Sequence, residues 1–293
     1  MWYCKCARSI FVLGVLMFIG APPTCCQQET KAETMPASTH WLLDASTVAQ
    51  RHAIMSVYLL ICPRANVKGT AFLLSNGIMV SNWHVVSGCS AEELIASSSS
   101  GREVKFAKMI TDADRDLALL RPVTTLQGGL VLGNDGDPPL EKRVSTWGFP
   151  LMYNGPAPLL SIGYVAGYSE ERAGNRTVKH LVINGAFNPG NSGGPLLEEP
   201  ENKLIGIVVA KYHLYPPYVK ETIETLAYKP RVGFNSGRFS IPQPDGTQKT
   251  LMDDQVIGLM LEEFYKTTQV MIGEAISIGE LKEFLASKEN ELR

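Results

Sequence analysis

The chain has 293 residues, of which 45% are hydrophobic and 19% are charged, and its formal net charge at pH 7 is -2. A chain of this length and apolar content can bury a sizeable core, as one large domain or two small ones. The small net charge and the lack of a basic stripe argue against a nucleic-acid partner.

The N-terminal segment has the pattern of an export signal. It carries Lys5 and Arg8, followed by an uninterrupted apolar run over residues 10–21. A basic segment before a short apolar run is typical of a secretory signal peptide, and the run is short for a membrane-spanning helix. We therefore predict a signal peptide over residues 1–26 and a secreted or periplasmic protein, the alternative being a membrane anchor that is not removed. Residues 27–40 are polar and are expected to form a flexible leader.

Four of the six cysteines lie in or beside that segment, which leaves Cys62 and Cys89. In an oxidising compartment these two could form one disulfide, and two buried free thiols are the alternative. The sequence shows no cysteine and histidine spacing typical of zinc sites, so we expect no metal.

The rest of the chain, residues 41–293, alternates short apolar runs with turn residues. An apolar run over residues 54–61 predicts the first strand, and Asn76-Gly77 is a strong signal for a hairpin turn. Further strand-like runs follow between Gly, Pro and Asn residues. This density of turns favours an all-β sandwich or barrel.

A histidine, an aspartate and a serine follow one another in the chain in sequence contexts suited to acyl transfer. His84 follows a strand-like run, and Asp116 directly precedes a short apolar strand. Ser192 lies in a turn rich in glycine and proline, for which an ordinary surface loop is the alternative. Two nearby acids, Asp112 and Asp114, fit better in a solvated turn. The order His, Asp, Ser is one of the known orders of a catalytic triad.

Four segments in this order resemble the trypsin-like serine proteases of chymotrypsin fold, and in particular the protease domain of the HtrA/Deg branch. They are residues 69–72, 82–86, 116–120 and 190–196, which read GTAF, NWHVV, DLALL and GNSGGPL. The resemblance covers roughly residues 50–285. It implies an all-β dominated protein with two antiparallel β-barrels and a site in the cleft between them.

The resemblance also implies roles for individual residues. His84 would be the general base, Asp116 the acid that orients it, and Ser192 the nucleophile. The backbone amides of Gly190 and Ser192 would form the oxyanion hole. We expect neither an organic cofactor nor a metal.

Residues near the serine carry a weaker prediction about specificity. Ala186 matches the position where trypsin has an acidic residue, so an arginine or lysine preference is disfavoured and small or aliphatic residues are expected. Val209, Ala210, Lys211 and His213 match the strand that lines the specificity pocket in this family. If Lys211 or His213 points into the pocket, acidic side chains would be preferred.

Residues 214–267 depart from the family pattern and predict a partly helical insertion, with helices over 219–228 and 253–265. The insertion could be a lid, an assembly surface or a decorated loop. A final strand over 270–278 and a C-terminal helix over 279–290 complete the predicted domain.

Taken together, the sequence predicts an exported serine endopeptidase acting on a protein or peptide substrate. The alternative is a secreted module that keeps the protease fold for binding or chaperone-like contacts and has a latent or inactive site. The sequence makes no prediction about the oligomeric state.

Overall fold

The computed structural model describes residues 35–134, 136–174, 176–209, 217–228, 237–242, 247–267 and 271–292. The predicted signal peptide and most of the predicted leader lie outside these residues. Across the described ranges, no helix combines the length and apolar character needed to span a bilayer.

Two short helices precede the first strand, α1 (Ala37–Asp44) and α2 (Val48–Ser56). A capping box starts α2: Gln50 N donates to Thr47 Oγ1 at 3.2 Å, and Thr47 N donates to Gln50 Oε1 at 3.0 Å. The helix continues to Ser56, so the strand predicted from residue 54 begins only at residue 57.

The predicted leader also ends earlier than expected. Residues 37–40 belong to α1, and the Thr39 side chain is fully buried with its hydroxyl donating to the Ser99 carbonyl at 2.8 Å. This buried hydrogen bond attaches the first turn of α1 to the folded domain, so these four residues are not a flexible leader.

The first half of the fold is one curled antiparallel sheet. Its strands lie in the order β5-β4-β1-β2-β3-β7-β6. The two edge strands, β5 and β6, are separated in the chain by Lys105 alone, so the sheet must curl to bring its edges together. The elements of this half are β1 (Val57–Cys62), β2 (Val67–Leu73), β3 (Met79–Ser81), α3 (Trp83–Val86), β4 (Ile95–Ser98), β5 (Glu103–Val104), β6 (Phe106–Asp112) and β7 (Leu117–Pro122).

The second half begins with a further run of antiparallel strands. After its first strand, two long strands form a hairpin, and two shorter strands follow the turn that carries Ser192. These strands are β8 (Arg143–Gly148), β9 (Leu159–Ala173), β10 (Arg176–Asn184), β11 (Pro195–Glu198) and β12 (Lys203–Val209).

The insertion predicted over residues 214–267 contains both helices and strands. The helices are α4 (Pro217–Tyr228) and α5 (Asp253–Thr267), close to the predicted spans. Between them lies a hairpin of β13 (Arg238–Pro242) and β14 (Gln248–Met252), where the sequence indicates a loop.

The chain then returns to the second half through β15 (Ile272–Ser277) and ends in the helix α6 (Ile278–Leu292). Strand β15 closes the barrel between β10 and β12, giving the cyclic order β10-β15-β12-β11-β8-β9. The C-terminal helix predicted over 279–290 is therefore present and slightly longer.

A shared apolar core joins the two halves. Phe72 and Leu117 from the curled sheet lie in one buried cluster with Trp147 and Ile276 from the closed barrel and Phe284 from α6. Burial of this shared apolar surface is the main contribution that stabilises the packing of the two halves against each other. The predicted fold class is confirmed, with one difference: hydrogen bonds close the second barrel, while the first is a curled sheet with open edges.

Candidate active site

Asp116 contacts His84 at two points. Its Oδ2 lies 2.7 Å from ring Nδ1, and its Oδ1 accepts a hydrogen bond from the His84 backbone N–H at 2.9 Å. The His84 and Asp116 side chains are 42% and 27% exposed. A carboxylate at Nδ1 favours the tautomer with the proton on that nitrogen, which leaves Nε2 as an acceptor.

The backbone around Asp116 is also fixed by the segment that carries the histidine. The Asp116 carbonyl accepts hydrogen bonds from Asn82 Nδ2 at 3.0 Å and from Trp83 N at 3.1 Å. Asp116 has a φ of 53°, in the left-handed region, where aspartate is one of the more frequent non-glycine residues. The start of α3 therefore packs around Asp116 and sets its position.

The neighbouring Arg115 is buried and connects this turn to the C-terminal helix. Its guanidinium donates to Asp112 at 2.6 Å, to Glu283 at 2.9 Å and to Glu280 at 3.1 Å, and Arg176 contacts both glutamates. These five residues are called the Arg115 cluster below. Burial would raise the pKa of Asp112, but the hydrogen bonds from Arg115 outweigh it and hold the pKa below its usual value.

The loop that carries Ser192, residues 188–194, depends on two glycines in the left-handed region. Gly190 has a φ of 97° and Gly193 a φ of 82°. A Cβ atom would lie 2.4 Å from the Phe149 carbonyl oxygen at Gly190 and 2.2 Å from the Thr70 carbonyl oxygen at Gly193. Only glycine meets both the conformation and the space at these positions.

Hydrogen bonds set the direction of two amides in this loop. Leu151 N donates to the Pro189 carbonyl at 2.9 Å, and Gly194 N donates to the Asn191 carbonyl at 2.9 Å. In a trans peptide the N–H points opposite to the C=O, so the amides of Gly190 and Ser192 point away from these contacts. Among the described residues, no protein acceptor pairs with the Gly190 N–H.

Strand β2 brings the loop next to the helix that carries His84. Thr70 N donates to the Ser192 carbonyl at 2.9 Å. A Cβ at Gly69 would lie 2.5 Å from Val85 Cγ1 and 3.3 Å from the Ser192 carbonyl oxygen. The absence of a side chain at Gly69 therefore lets α3 and the Ser192 loop approach the same point of β2.

The expected specificity residues are only partly described. Ala186 and Val209 are half-buried, and Val209 directly follows Val208, whose backbone exchanges hydrogen bonds with Gly193 and Gly194. The end of β12 thus lies along the Ser192 loop. Ala210, Lys211 and His213 lie outside the described residues.

Cys62 and Cys89 form a disulfide in the structure. The bond connects the end of β1 to the loop after α3, so it closes the segment that contains His84. Both cysteines are buried, with Cys62 fully inaccessible.

Two residues of this region carry no signal that sequence reasoning used. Thr70 is a hydroxyl inside an apolar strand, and Arg115 lies among aspartates that suggest a solvated turn. Both are buried in the structure, with exposures of 0% and 7%. Thr70 lies within the motif at residues 69–72, and Arg115 directly precedes the motif at residues 116–120.

Comparison with known proteins finds similarity to serine proteases. Residues 69–207 match the model of the trypsin-like peptidase domain. A probable periplasmic serine endoprotease DegP-like of Halomonas elongata is 31% identical over 140 residues, which cover 47% of this chain and 28% of that protein. Protease Do-like 1, chloroplastic, of Arabidopsis thaliana is 29% identical over 175 residues, covering 57% of this chain and 38% of the relative. The chain thus spans well under half the length of these two relatives.

A solved structure extends the likeness beyond the matched segment. The crystal structure of the Rv3671c protease in its inactive form has a TM-score of 0.53 and 14% sequence identity, and the alignment covers 87% of this chain and 96% of that one. At this identity the similarity shows the fold alone.

Proposed function

Because the chain carries a trypsin-like peptidase domain over residues 69–207, we propose that it is a serine endopeptidase that hydrolyses peptide bonds in protein or peptide substrates. The observation that carries the proposal is the double contact of Asp116 with His84. His84 lies in α3, and this helix approaches the Ser192 loop at Gly69. The sequence motifs give only the order of His84, Asp116 and Ser192 along the chain. The contact with Asp116 favours the His84 tautomer with its proton on Nδ1, which leaves Nε2 free to act as a general base.

In the proposed acylation step, Ser192 Oγ attacks the carbonyl carbon of the scissile bond. His84 Nε2 takes the hydroxyl proton as the Oγ–C bond forms, and the π electrons of the carbonyl move onto its oxygen. The N–H groups of Gly190 and Ser192 stabilise that oxyanion. The intermediate collapses when the C–N bond breaks, and His84 gives its proton to the leaving amine.

Deacylation follows the same course with water as the nucleophile. His84 takes a proton from the water as it attacks the acyl carbon, and a second oxyanion forms at the same amides. The C–Oγ bond then breaks and Ser192 regains its proton from His84, releasing the carboxylic acid product. Throughout, the negative carboxylate of Asp116 stabilises the imidazolium without being protonated.

The proposed pocket preference follows from its two described residues. Ala186 and Val209 offer small apolar side chains and no carboxylate to pair with a basic side chain. We therefore propose that small or aliphatic residues are preferred before the scissile bond. Cleavage of a peptide library, read by mass spectrometry, tests this; a preference for acidic residues would instead assign the pocket to Lys211 or His213.

We also propose that the protein is exported. The basic and apolar pattern of residues 1–26 supports this, and the DegP-like relative of Halomonas elongata is named as periplasmic. Cell fractionation with N-terminal sequencing of the purified protein tests the proposal. A mature N-terminus after the apolar run supports removal of a signal peptide, and an intact N-terminus in the membrane fraction supports the anchor.

The first experiment is labelling with a fluorophosphonate probe, followed by intact-mass measurement. We expect one adduct on the wild-type protein and none on Ser192→Ala or His84→Ala. Hydrolysis of a peptide substrate should be lost in the same two variants. A wild-type protein that is folded by circular dichroism but forms no adduct and cleaves no substrate would overturn the proposed activity and favour a binding or chaperone-like role.

A further inference from the structure

Thr70 contacts the Ser192 loop at both residues whose amides form the proposed oxyanion hole. Its Oγ1 donates to the Gly190 carbonyl at 2.7 Å, and its backbone N–H donates to the Ser192 carbonyl at 2.9 Å. The residue is fully buried in β2, 120 positions before Gly190 in the chain. Thr70 therefore attaches the first half of the fold to the loop in the second half.

The remaining polar groups of Thr70 are occupied too. Its Oγ1 accepts a hydrogen bond from Phe149 N at 3.1 Å, and its carbonyl accepts one from Ser81 Oγ at 2.7 Å. A hydroxyl has one donor and can accept as well, so Thr70 Oγ1 joins two separate backbone segments. Valine has the same shape but can make neither contact.

We propose that Thr70 is a positioning residue that holds the oxyanion hole in its working geometry. This inference rests on the proposed endopeptidase function. The Gly190 N–H and the Gly190 carbonyl belong to the two planar peptide groups that flank one Cα atom. The Leu151 contact sets the direction of the first peptide, and the Thr70 contact on the second restrains the torsion angles between them and the position of the loop. The same holds for Ser192, whose carbonyl is fixed by the Thr70 backbone.

The Thr70 hydroxyl contacts the loop at Gly190, the residue whose backbone torsion angles are least restricted. Gly190 lies in the left-handed region and has no side chain, so both of its flanking peptide groups could rotate if they were released. Leu151 N holds the peptide before Gly190, and Thr70 Oγ1 holds the peptide after it. Without the second contact, the peptide after Gly190 would be held only by Asn191 N, which donates to the Asn188 carbonyl at 3.0 Å. The loop would then lose its side-chain attachment to β2, and a shift of the loop would move the Gly190 N–H relative to the developing oxyanion.

Such a loss would act on the transition state more than on substrate binding. An oxyanion exists only once the serine has attacked, so its donors contribute little to the binding of the intact peptide. We expect Thr70→Val to lower kcat about 10- to 100-fold with little change in KM, short of the roughly 10²- to 10³-fold loss when an oxyanion donor is deleted outright. A peptide boronate, which forms a tetrahedral adduct, should lose affinity by a similar factor.

A series of side chains separates the hydroxyl from the shape of the residue. Thr70→Ser keeps the hydroxyl and should retain kcat within about threefold of wild type, since the oxyanion donors stay in place. Thr70→Cys offers only a weak donor and should fall between serine and valine. If Thr70→Val does not fold, the comparison of serine with cysteine carries the test alone.

Thr39→Val is the matched control for a lost buried hydrogen bond. Thr39 is also fully buried and donates to one backbone carbonyl, that of Ser99, in the α1 region. We expect this variant to be less stable than wild type but to keep the kcat and the boronate affinity of wild type. A loss of kcat in Thr39→Val equal to that in Thr70→Val would overturn the proposal, because the effect would then come from stability.

The outcomes for the two proposals are distinguishable. If the wild-type protein forms no fluorophosphonate adduct and cleaves no peptide, the endopeptidase function fails. If the wild-type protein is active and Thr70→Val keeps wild-type kcat and boronate affinity, the function stands and the positioning role of Thr70 is overturned. If Thr70→Ser is as impaired as Thr70→Val, the hydroxyl is not the group responsible, and the proposal is overturned as well.

Discussion

The carboxylate of Asp116 reaches both the ring and the backbone of His84, with one oxygen on Nδ1 at 2.7 Å and the other on the backbone N–H at 2.9 Å. The backbone contact fixes the carboxylate relative to α3, and the ring contact then fixes the imidazole relative to the carboxylate. The orientation of the histidine is therefore set by the main chain as much as by side-chain rotamers.

Replacement of this carboxylate should abolish most of the activity without unfolding the protein. In Asp116→Asn the amide oxygen can still accept from the His84 backbone, but the NH₂ group donates to Nδ1 and leaves the proton on Nε2. That tautomer cannot accept a proton from Ser192, so we expect kcat/KM to fall about 10⁴-fold near neutral pH. Peptide hydrolysis and thermal unfolding measure the two effects. Asp114→Asn, the same change at an exposed neighbour, should keep wild-type activity, and a comparable loss there would contradict the assignment.

The Arg115 cluster should contribute to stability because its central cation is buried. The Arg115 side chain is only 8% exposed and donates to three carboxylates. Arg115→Met would leave those carboxylates without their main partner, and we expect the free energy of unfolding to fall by on the order of 2 kcal/mol, since Glu283 is largely exposed and partly solvated. Urea unfolding measures it. Arg64→Met is the matched control, because Arg64 pairs with Glu93 at 3.8 Å on the surface with 73% of its side chain exposed. An equal loss in both variants would argue against a special role for the cluster.

The same cluster predicts a loss of stability in acid. Hydrogen bonds from Arg115 hold the pKa of Asp112 below its ordinary value of 3.8, against the opposing effect of burial. Since the unfolded chain then binds more protons, the contribution of Asp112 is fully present above pH 3.8 and is lost as the pH falls through the lower folded value.

Glu283 acts in the same direction. Hydrogen bonds from Arg176 and Arg115 hold its pKa below its ordinary value of 4.5, so its contribution is lost over a similar acid range.

Urea unfolding of wild type and Asp112→Asn between about pH 6 and pH 3 tests the contribution of Asp112. The stability difference between the two proteins should be constant above about pH 5 and should shrink below pH 4. A difference that stays constant over the whole range would contradict it.

Much of this architecture can be predicted from the sequence because it depends on local patterns. Apolar runs and turn residues indicate most strands, and the amphipathic pattern predicts α5 and α6 closely. The predicted start of β1 is wrong. The helix α2 begins at the Thr47 capping box and continues to Ser56, so it includes the first residues of an apolar run that also suits a strand. The hairpin of β13 and β14 was missed because its glycines and prolines favour a loop.

The contacts that complete the site depend on residues far apart in the chain. Thr70 Oγ1 meets a carbonyl 120 residues away, and Arg115 meets Glu280 at a separation of 165 residues. Each has an unremarkable local sequence: one hydroxyl in an apolar strand, one arginine among aspartates. Motif matching therefore indicates which residues are proposed to react, while the contacts proposed to position them become apparent only once the two halves are packed together.

The disulfide between Cys62 and Cys89 encloses the segment that contains His84, so its removal should affect both stability and activity. The cysteines are 27 residues apart in sequence, for which the chain-entropy model gives about 3 to 4 kcal/mol of stabilisation. We expect the variant with both Cys62→Ala and Cys89→Ala to lose about that much free energy of unfolding, as measured with urea. Reductant should lower the stability of wild type to the level of the variant and leave the variant unchanged. If the two proteins respond equally to reductant, the bond does not form in solution. Since α3 lies within the closed segment, we further expect the variant to react more slowly with fluorophosphonate well below its unfolding temperature, because a loosened α3 holds His84 less firmly against Asp116.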